Sequence, residues 1–148
     1  MAGQELVLGP REGALLRVLA DDVRVLATAR DTAGAYEVFD LDVPADSGPP
    51  VHQHPWNEAY LVLEGELAVR LGDRQFSAGA GSFFNVPGGV WHGYRVATPR
   101  ARVLIVSERG QVSEFFTEIA HEIGDPPDFG RVLEIAAKHD VTAAPPAA

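Results

Sequence analysis

The side chains in this sequence that are best suited to chemistry are His52, His54, Glu58 and His92. His52 and His54 are two positions apart, and residues i and i+2 of an extended strand point to the same face. Both imidazoles can therefore converge on one ion. Pro55 cannot donate a ladder hydrogen bond, so the strand that carries the two histidines is predicted to end there.

A carboxylate and a third imidazole can join this pair. A turn at residues 55–57 is predicted to bring Glu58 to the head of the next strand. A second turn at residues 87–89 lets the chain re-enter extended form before His92. Three imidazoles and one carboxylate suit a divalent first-row metal, and an octahedral ion would keep two positions open. We predict one such ion (Fe, Mn, Ni or Co, with Zn as a further candidate) and no organic cofactor.

Aromatic side chains near these four residues are candidates for a substrate pocket. Tyr60 and Tyr94 each lie two residues beyond a proposed ligand, so each shares that ligand's face. They can either hydrogen-bond a substrate or only fill the interior. Trp56 is predicted to lie at the rim of the pocket. His121 and His139 have no partners at ligand spacing and are predicted to be surface or packing residues.

Glycine and proline divide the first 110 residues into short apolar segments, a rhythm typical of many strands joined by turns. The segment YEVFDLDV at residues 36–43 alternates polar and apolar side chains, as a half-buried strand does. The pattern predicts a mainly β fold whose strands occupy residues about 20–110.

The periodicity changes in the last third of the chain. Between residues 112 and 123 apolar side chains recur at helical spacing, and Gly124 can end that helix. Asp128 can cap a second helix with the same spacing. We therefore predict a C-terminal pair of α-helices over residues about 111–140. Residues 141–148 have little to bury, and we expect a mobile C-terminus there.

Length, charge and composition exclude several classes of function. The chain has 148 residues, which predicts one domain spanning residues 1–148. A net charge of −9 repels a phosphate backbone, so no nucleic-acid partner is expected. The absence of cysteine excludes disulfides and Cys-based metal sites. With no stretch of about 18 apolar residues and no leader-like start, we expect no membrane span and a cytoplasmic protein.

The segment GPPVHQHPWNEAYLVLEG resembles the first motif of the cupin superfamily. In that motif a glycine is followed by His-any-His, a glutamate and a second glycine. The matching positions here are Gly48, His52, His54, Glu58 and Gly65.

The segment GSFFNVPGGVWHGYRV is similar to the second cupin motif, in which a glycine precedes Pro-any-Gly and a histidine. Gly81, Pro87, Gly89 and His92 match it, and the short spacer between the two motifs is typical of microbial single-domain cupins. This resemblance implies the cupin double-stranded β-helix, a jelly-roll-like β-barrel of two sheets. It also implies a metal held inside by all four ligands, His52, His54, Glu58 and His92.

The helical tail resembles those of bacterial quercetin 2,3-dioxygenase-like cupins. In that group the metal-binding glutamate is thought to accept the proton of the substrate hydroxyl. This likeness implies two roles for Glu58, as metal ligand and as catalytic base.

Three hypotheses for function follow. The first is a metal-dependent dioxygenase acting on a small aromatic or enolic substrate, flavonol-like or polyketide-like. The second is a non-oxidative isomerase, cyclase or lyase that uses the ion as a Lewis acid. The third is a ligand-binding cupin without catalysis. In each case the expected partner is a small molecule, and exposed sheet edges favour a homodimer.

Overall fold

The computed structural model describes residues 2–145, which form two antiparallel β-sheets with two helices near the C-terminal end. In chain order the elements are β1 (Ala14–Val18), β2 (Asp21–Ala27), β3 (Tyr36–Pro44), β4 (His52–Gln53), β5 (Glu58–Glu64), β6 (Glu66–Leu71), β7 (Arg74–Gly79), β8 (Phe83–Val86), β9 (His92–Val96), β10 (Arg100–Glu108), α1 (Val112–Glu122), α2 (Phe129–Lys138) and β11 (Thr142–Ala143).

The two sheets share the strands unequally. The first has six strands in the order β1-β2-β3-β10-β5-β8, and the second has five in the order β11-β4-β9-β6-β7. Within residues 2–145 no hydrogen-bonded strand pair joins one sheet to the other. The prediction of a mainly β fold with a C-terminal pair of helices is confirmed. The hydrogen-bonded ladder, however, does not close into a continuous barrel.

The core lies between the inner faces of the two sheets. Along β3, Phe39, Leu41 and Val43 are buried, while Asp40 between them faces outward. On the outer face Asp40 accepts hydrogen bonds from the guanidinium of Arg102 on the neighbouring strand β10. The strict alternation of β3 thus produces one apolar and one charged face, as its sequence predicts.

Two short strands depart from the sequence-based expectations. β1 lies ahead of the predicted start near residue 20, and it pairs with β2 at the sheet edge. β11 falls in the C-terminal segment that was expected to be mobile, because the edge of β4 offers unpaired backbone groups that Thr142 and Ala143 can bond. The mobility of residues 141–148 stays a prediction. Residues 146–148 lie outside the described part of the chain.

A buried carboxylate fixes the start of α1. Glu37 on β3 is 1% exposed, and one of its oxygens accepts a hydrogen bond of 3.0 Å from the backbone N–H of Ser113. The hydroxyl of Ser113 also donates to Glu37, as does the backbone N–H of Ala29, at 2.9 Å. A negative charge at a helix N-terminus is favourable, so Glu37 caps α1 from the sheet.

The second helix begins as the sequence predicts. The side chain of Asp128 accepts a hydrogen bond of 3.2 Å from the backbone N–H of Arg131. Both helices of the described chain are too short and too polar to cross a membrane.

Candidate metal centre

Strand pairing in the second sheet brings the three predicted histidine ligands together. His52 on β4 lies directly opposite His92 on β9. His54 follows β4 by one residue, and its ring centroid lies 4.8 Å from that of His92. One ring nitrogen from each of the three side chains lies within 4.8 Å of the others. This is the spacing of side chains that could hold one ion between them.

Each imidazole is oriented by a backbone carbonyl two residues away along the chain. The Nδ1 atoms lie 2.8 Å from that carbonyl oxygen for His52, 3.0 Å for His54 and 2.8 Å for His92. A carbonyl only accepts hydrogen bonds, so Nδ1 must carry the proton in each ring. In a neutral ring the Nε2 atom then has a free lone pair, which is the form that binds a metal.

Two of these lone pairs are buried. Within residues 2–145, the Nε2 atoms of His54 and His92 have no hydrogen-bond partner, and their side chains are 4% and 2% exposed. A buried acceptor without a partner costs free energy unless something binds it. A divalent cation between the rings would satisfy both atoms, so the residues present fit a metal ion.

Glu58 faces the histidines from the opposite sheet. It is the first residue of β5, is 7% exposed, and its Oε2 atom lies 3.1 Å from Nε2 of His54. Both of these atoms are acceptors once Nδ1 of His54 carries the proton. The contact therefore calls for a cation or a second proton between them.

Three neighbours donate hydrogen bonds to the Glu58 carboxylate. The hydroxyl of Tyr60 donates to Oε1. The hydroxyl of Ser107 and the indole N–H of Trp56 both donate to Oε2, each at 3.3 Å. These contacts hold the carboxylate in one orientation beside the rings.

Protonation states in the site suit metal binding near neutral pH. Burial and, to a smaller extent, the nearby His52 lower the pKa of His92 from its ordinary value of 6.5 to about 4. Burial lowers the pKa of His52 as well. Burial alone would raise the pKa of Glu58, but the hydrogen bond and charge that His54 supplies when its Nε2 also carries a proton, together with the hydrogen bond from Tyr60, lower it to about 2. His52 and His92 are thus neutral and Glu58 is charged, as ligands of a divalent ion must be.

The three predicted pocket residues all lie around this group. Trp56 is half-buried, and its ring stacks on His54 with centroids 4.3 Å apart and planes 6° apart. Tyr60 is buried and stacks on Phe84 at 4.7 Å. The buried ring of Tyr94 lies 6.0 Å from that of Tyr60. Trp56 and Tyr60 therefore contact the proposed ligands His54 and Glu58 directly. Tyr94 instead lies next to the ring of Tyr60.

One residue of the site was missed by sequence reasoning. Ser107 is fully buried and lies opposite Glu58 in the register between β10 and β5. No motif contains it, and it follows Glu58 by 49 residues. Only the pairing of the two strands reveals its role.

The remaining two histidines lie outside the metal centre. The Nε2 atom of His139 lies 2.6 Å from a carboxylate oxygen of Glu118, which links the end of α2 to α1. His121 is exposed on α1. Both placements agree with the predicted packing and surface roles.

Residues 39–107 match the family model for the cupin domain, a span that contains all four proposed ligands. Over 98 residues the chain is 30% identical to quercetin 2,3-dioxygenase of Bacillus subtilis strain 168. That alignment covers 66% of this chain and 29% of the relative. The chain thus spans less than a third of that curated relative.

Two solved structures show the same fold. An RmlC-like cupin from Shewanella frigidimarina superposes with a TM-score of 0.67 at 17% identity, covering 77% of this chain and 99% of that one. The polyketide cyclase RemF from Streptomyces resistomycificus superposes with a TM-score of 0.55 at 26% identity, covering 67% of this chain and 70% of that one.

Proposed function

This chain carries a cupin domain over residues 39–107, and from that premise we propose that it is a metal-dependent dioxygenase acting on a small aromatic or enolic substrate. Flavonol-like and polyketide-like compounds are the substrate classes that we favour. The 30% identity to the relative named quercetin 2,3-dioxygenase supports a reaction with oxygen.

One divalent ion would be held by His52, His54, His92 and Glu58. The observation that carries this proposal is the pair of buried, unpartnered Nε2 atoms beside a charged carboxylate. Nitrogen and carboxylate ligands suit Fe, Mn, Ni, Co or Zn alike, so availability rather than the ligand set would select the metal. When bound, such an ion supplies Lewis acidity and open positions for substrate and oxygen.

The protein's own groups would prepare the substrate. We propose that Oε2 of Glu58 takes the proton of the substrate hydroxyl, which makes the substrate electron-rich enough to react with oxygen. Tyr60 and Ser107 keep the carboxylate aimed at the site through their hydrogen bonds. The buried positions of Glu58, His54 and His92, with Trp56 stacked on His54, would limit the access of water to the reacting atoms.

A second candidate is a non-oxidative cyclase, isomerase or lyase. The likeness to the polyketide cyclase RemF favours it, at 26% identity over two thirds of this chain. The same four ligands would serve here, with the ion polarising a carbonyl and Glu58 again moving a proton.

Turnover with and without oxygen separates the two candidates. Metal-loaded protein should be screened against flavonols and enolic polyketides, with oxygen uptake recorded and ¹⁸O₂ label traced by mass spectrometry. The dioxygenase proposal requires uptake and labelled product. Full conversion under anoxia, with no label in the product formed in air, would contradict the dioxygenase proposal and favour a cyclase, isomerase or lyase. Binding of a compound without turnover would favour a ligand-binding cupin.

A cytoplasmic location and a homodimer stay predictions.

A further inference from the structure

We propose that the C-terminal strand β11 is a positioning element that holds His52 in the metal centre. This inference rests on the proposed metal site. It assigns a role to a segment that lies beyond the cupin domain match, which ends at residue 107.

The strand that carries His52 has little support of its own. β4 contains two residues, and its ladder pairing with β9 is the single residue pair His52 and His92. A strand this short is not stable by itself, and without β11 it would form the edge of the sheet. The position of one predicted ligand therefore depends on what covers the other side of β4.

β11 covers that side. Thr142 pairs with Gln53 and Ala143 pairs with His52, in antiparallel register. The backbone N–H of Ala144 also donates a hydrogen bond of 2.8 Å to the carbonyl oxygen of Val51. β11 thus pairs with both residues of β4, whereas β9 pairs only with His52.

The register places Ala143 next to the ligand itself. Because Ala144 bonds to Val51, and hydrogen-bonded pairs alternate along an antiparallel ladder, Ala143 and His52 form a non-hydrogen-bonded pair. Residues paired in this way share a face and approach each other closely. Ala143 therefore flanks His52 on the side opposite to His92.

β11 is anchored by the helices that precede it. The backbone N–H of Val141 donates to the carbonyl of Ala136, at 2.9 Å, where α2 ends. Lys138 and His139 at that end both contact Glu118 on α1, at 2.6 Å each. The two helices thus fix the point from which β11 runs to β4.

Two substitutions at Ala144 test this role. Ala144→Pro removes the N–H that bonds to Val51, whereas Ala144→Gly keeps that N–H and serves as the matched control. A chain truncated after Val141 removes the whole strand. Circular dichroism and thermal melting establish that each variant is folded.

The first readout is the affinity for Co²⁺, measured by calorimetry on the metal-free full-length variants. We expect Ala144→Pro and the truncated chain to bind Co²⁺ about 10-fold more weakly than wild type, the loss typical of removing a group that orients a ligand. Ala144→Gly should bind as wild type does. The second readout is amide hydrogen exchange over residues 51–53 without metal, which should be faster in the same two variants.

Equal Co²⁺ affinity in wild type and both disrupted variants would overturn the inference, whether or not exchange changes. Unchanged exchange over residues 51–53 would also overturn it. Failure of wild type to bind Co²⁺ would instead contradict the proposed metal site, and the two failures are therefore distinguishable. If the truncated chain does not fold, the comparison between Ala144→Pro and Ala144→Gly decides.

Discussion

The Nε2 atom of His54 lies 3.1 Å from the Oε2 atom of Glu58, and the two side chains come from different sheets. Both atoms are buried, and both are acceptors in the neutral form of His54, whose Nδ1 donates a hydrogen bond to the carbonyl of Trp56. Such a pair calls for a cation or a second proton between the two atoms. The chemistry that we propose for the protein follows from this contact.

Glu58→Gln should preserve the fold and part of the metal affinity but lose most turnover. The amide still offers one oxygen as a ligand, but it cannot accept a proton at neutral pH. A general base contributes about 10² to 10⁴ in rate, so kcat should fall by that factor at matched metal occupancy. Glu64→Gln, at the exposed far end of β5, should leave kcat unchanged. Equal turnover in wild type and Glu58→Gln would mean that Glu58 acts only as a ligand.

Tyr60→Phe should destabilise the metal-free protein by about 1–3 kcal/mol, because the buried Glu58 carboxylate loses a hydrogen bond. The ring and its stacking on Phe84 are kept, so packing changes little. Urea denaturation measures the difference. Tyr36→Phe removes a hydroxyl from a side chain that is 46% exposed and should change stability by less than about 0.5 kcal/mol. The same small effect for Tyr60→Phe would contradict the hydrogen bond.

The metal-free protein should begin to lose stability at pH values well above those at which carboxylates usually titrate. Burial lowers the pKa of His92 from 6.5 to about 4, so between these pH values the unfolded chain binds a proton that the folded chain does not. The free energy of unfolding therefore falls as pH falls through this window, by about 3 kcal/mol for His92 alone. His52, whose pKa is also lowered, acts in the same direction.

Urea denaturation at pH values from 7 to 4 checks this dependence. His92→Gln should reduce the slope because it removes one of the two titrating groups. His121→Gln, which changes an exposed side chain on α1, should keep the wild-type slope. A wild-type curve that is flat between pH 6.5 and 4 would show that His92 is not held neutral by its surroundings.

Glu37→Gln should lower stability through the start of α1. The two oxygens of the buried carboxylate accept hydrogen bonds from Ser113 and from the backbone N–H of Ala29. Glutamine keeps one of these oxygens, but its amide nitrogen cannot accept the hydrogen bonds made to the other. The expected cost is about 1–3 kcal/mol by thermal or urea denaturation. Glu114→Gln, in the exposed first turn of the same helix, is the matched control and should cost only a few tenths of a kcal/mol. Equal effects of the two substitutions would contradict the capping role.

Much of the architecture could be predicted from local pattern. Alternation along residues 36–43 identifies β3 and its two faces, and helical periodicity with Asp128 as a cap identifies the pair of helices. The spacing of His52 and His54 is informative because a strand has a period of two, so their convergence needs no long-range information.

The parts that escaped prediction depend on contacts between distant segments. Ser107 reaches Glu58 only through the register of β10 against β5. Thr142 and Ala143 have no strand-like alternation, and their pairing is created by the open edge of β4. In the sequence Glu37 is an acidic residue of a strand, and its role appears only from its hydrogen bond with Ser113 of α1. Local sequence carries no signal for these long-range neighbours.

Metal content tests the central claim most directly. Protein stripped with chelator, reloaded with Co²⁺ or Ni²⁺ and freed of excess ion should contain about one ion per chain by elemental analysis, the number that one cluster of three histidines can hold. His92→Ala should lose nearly all of that ion, and His121→Ala should keep it. Less than about a tenth of an equivalent in wild type, or equal content in wild type and His92→Ala, would contradict a metal centre at these residues.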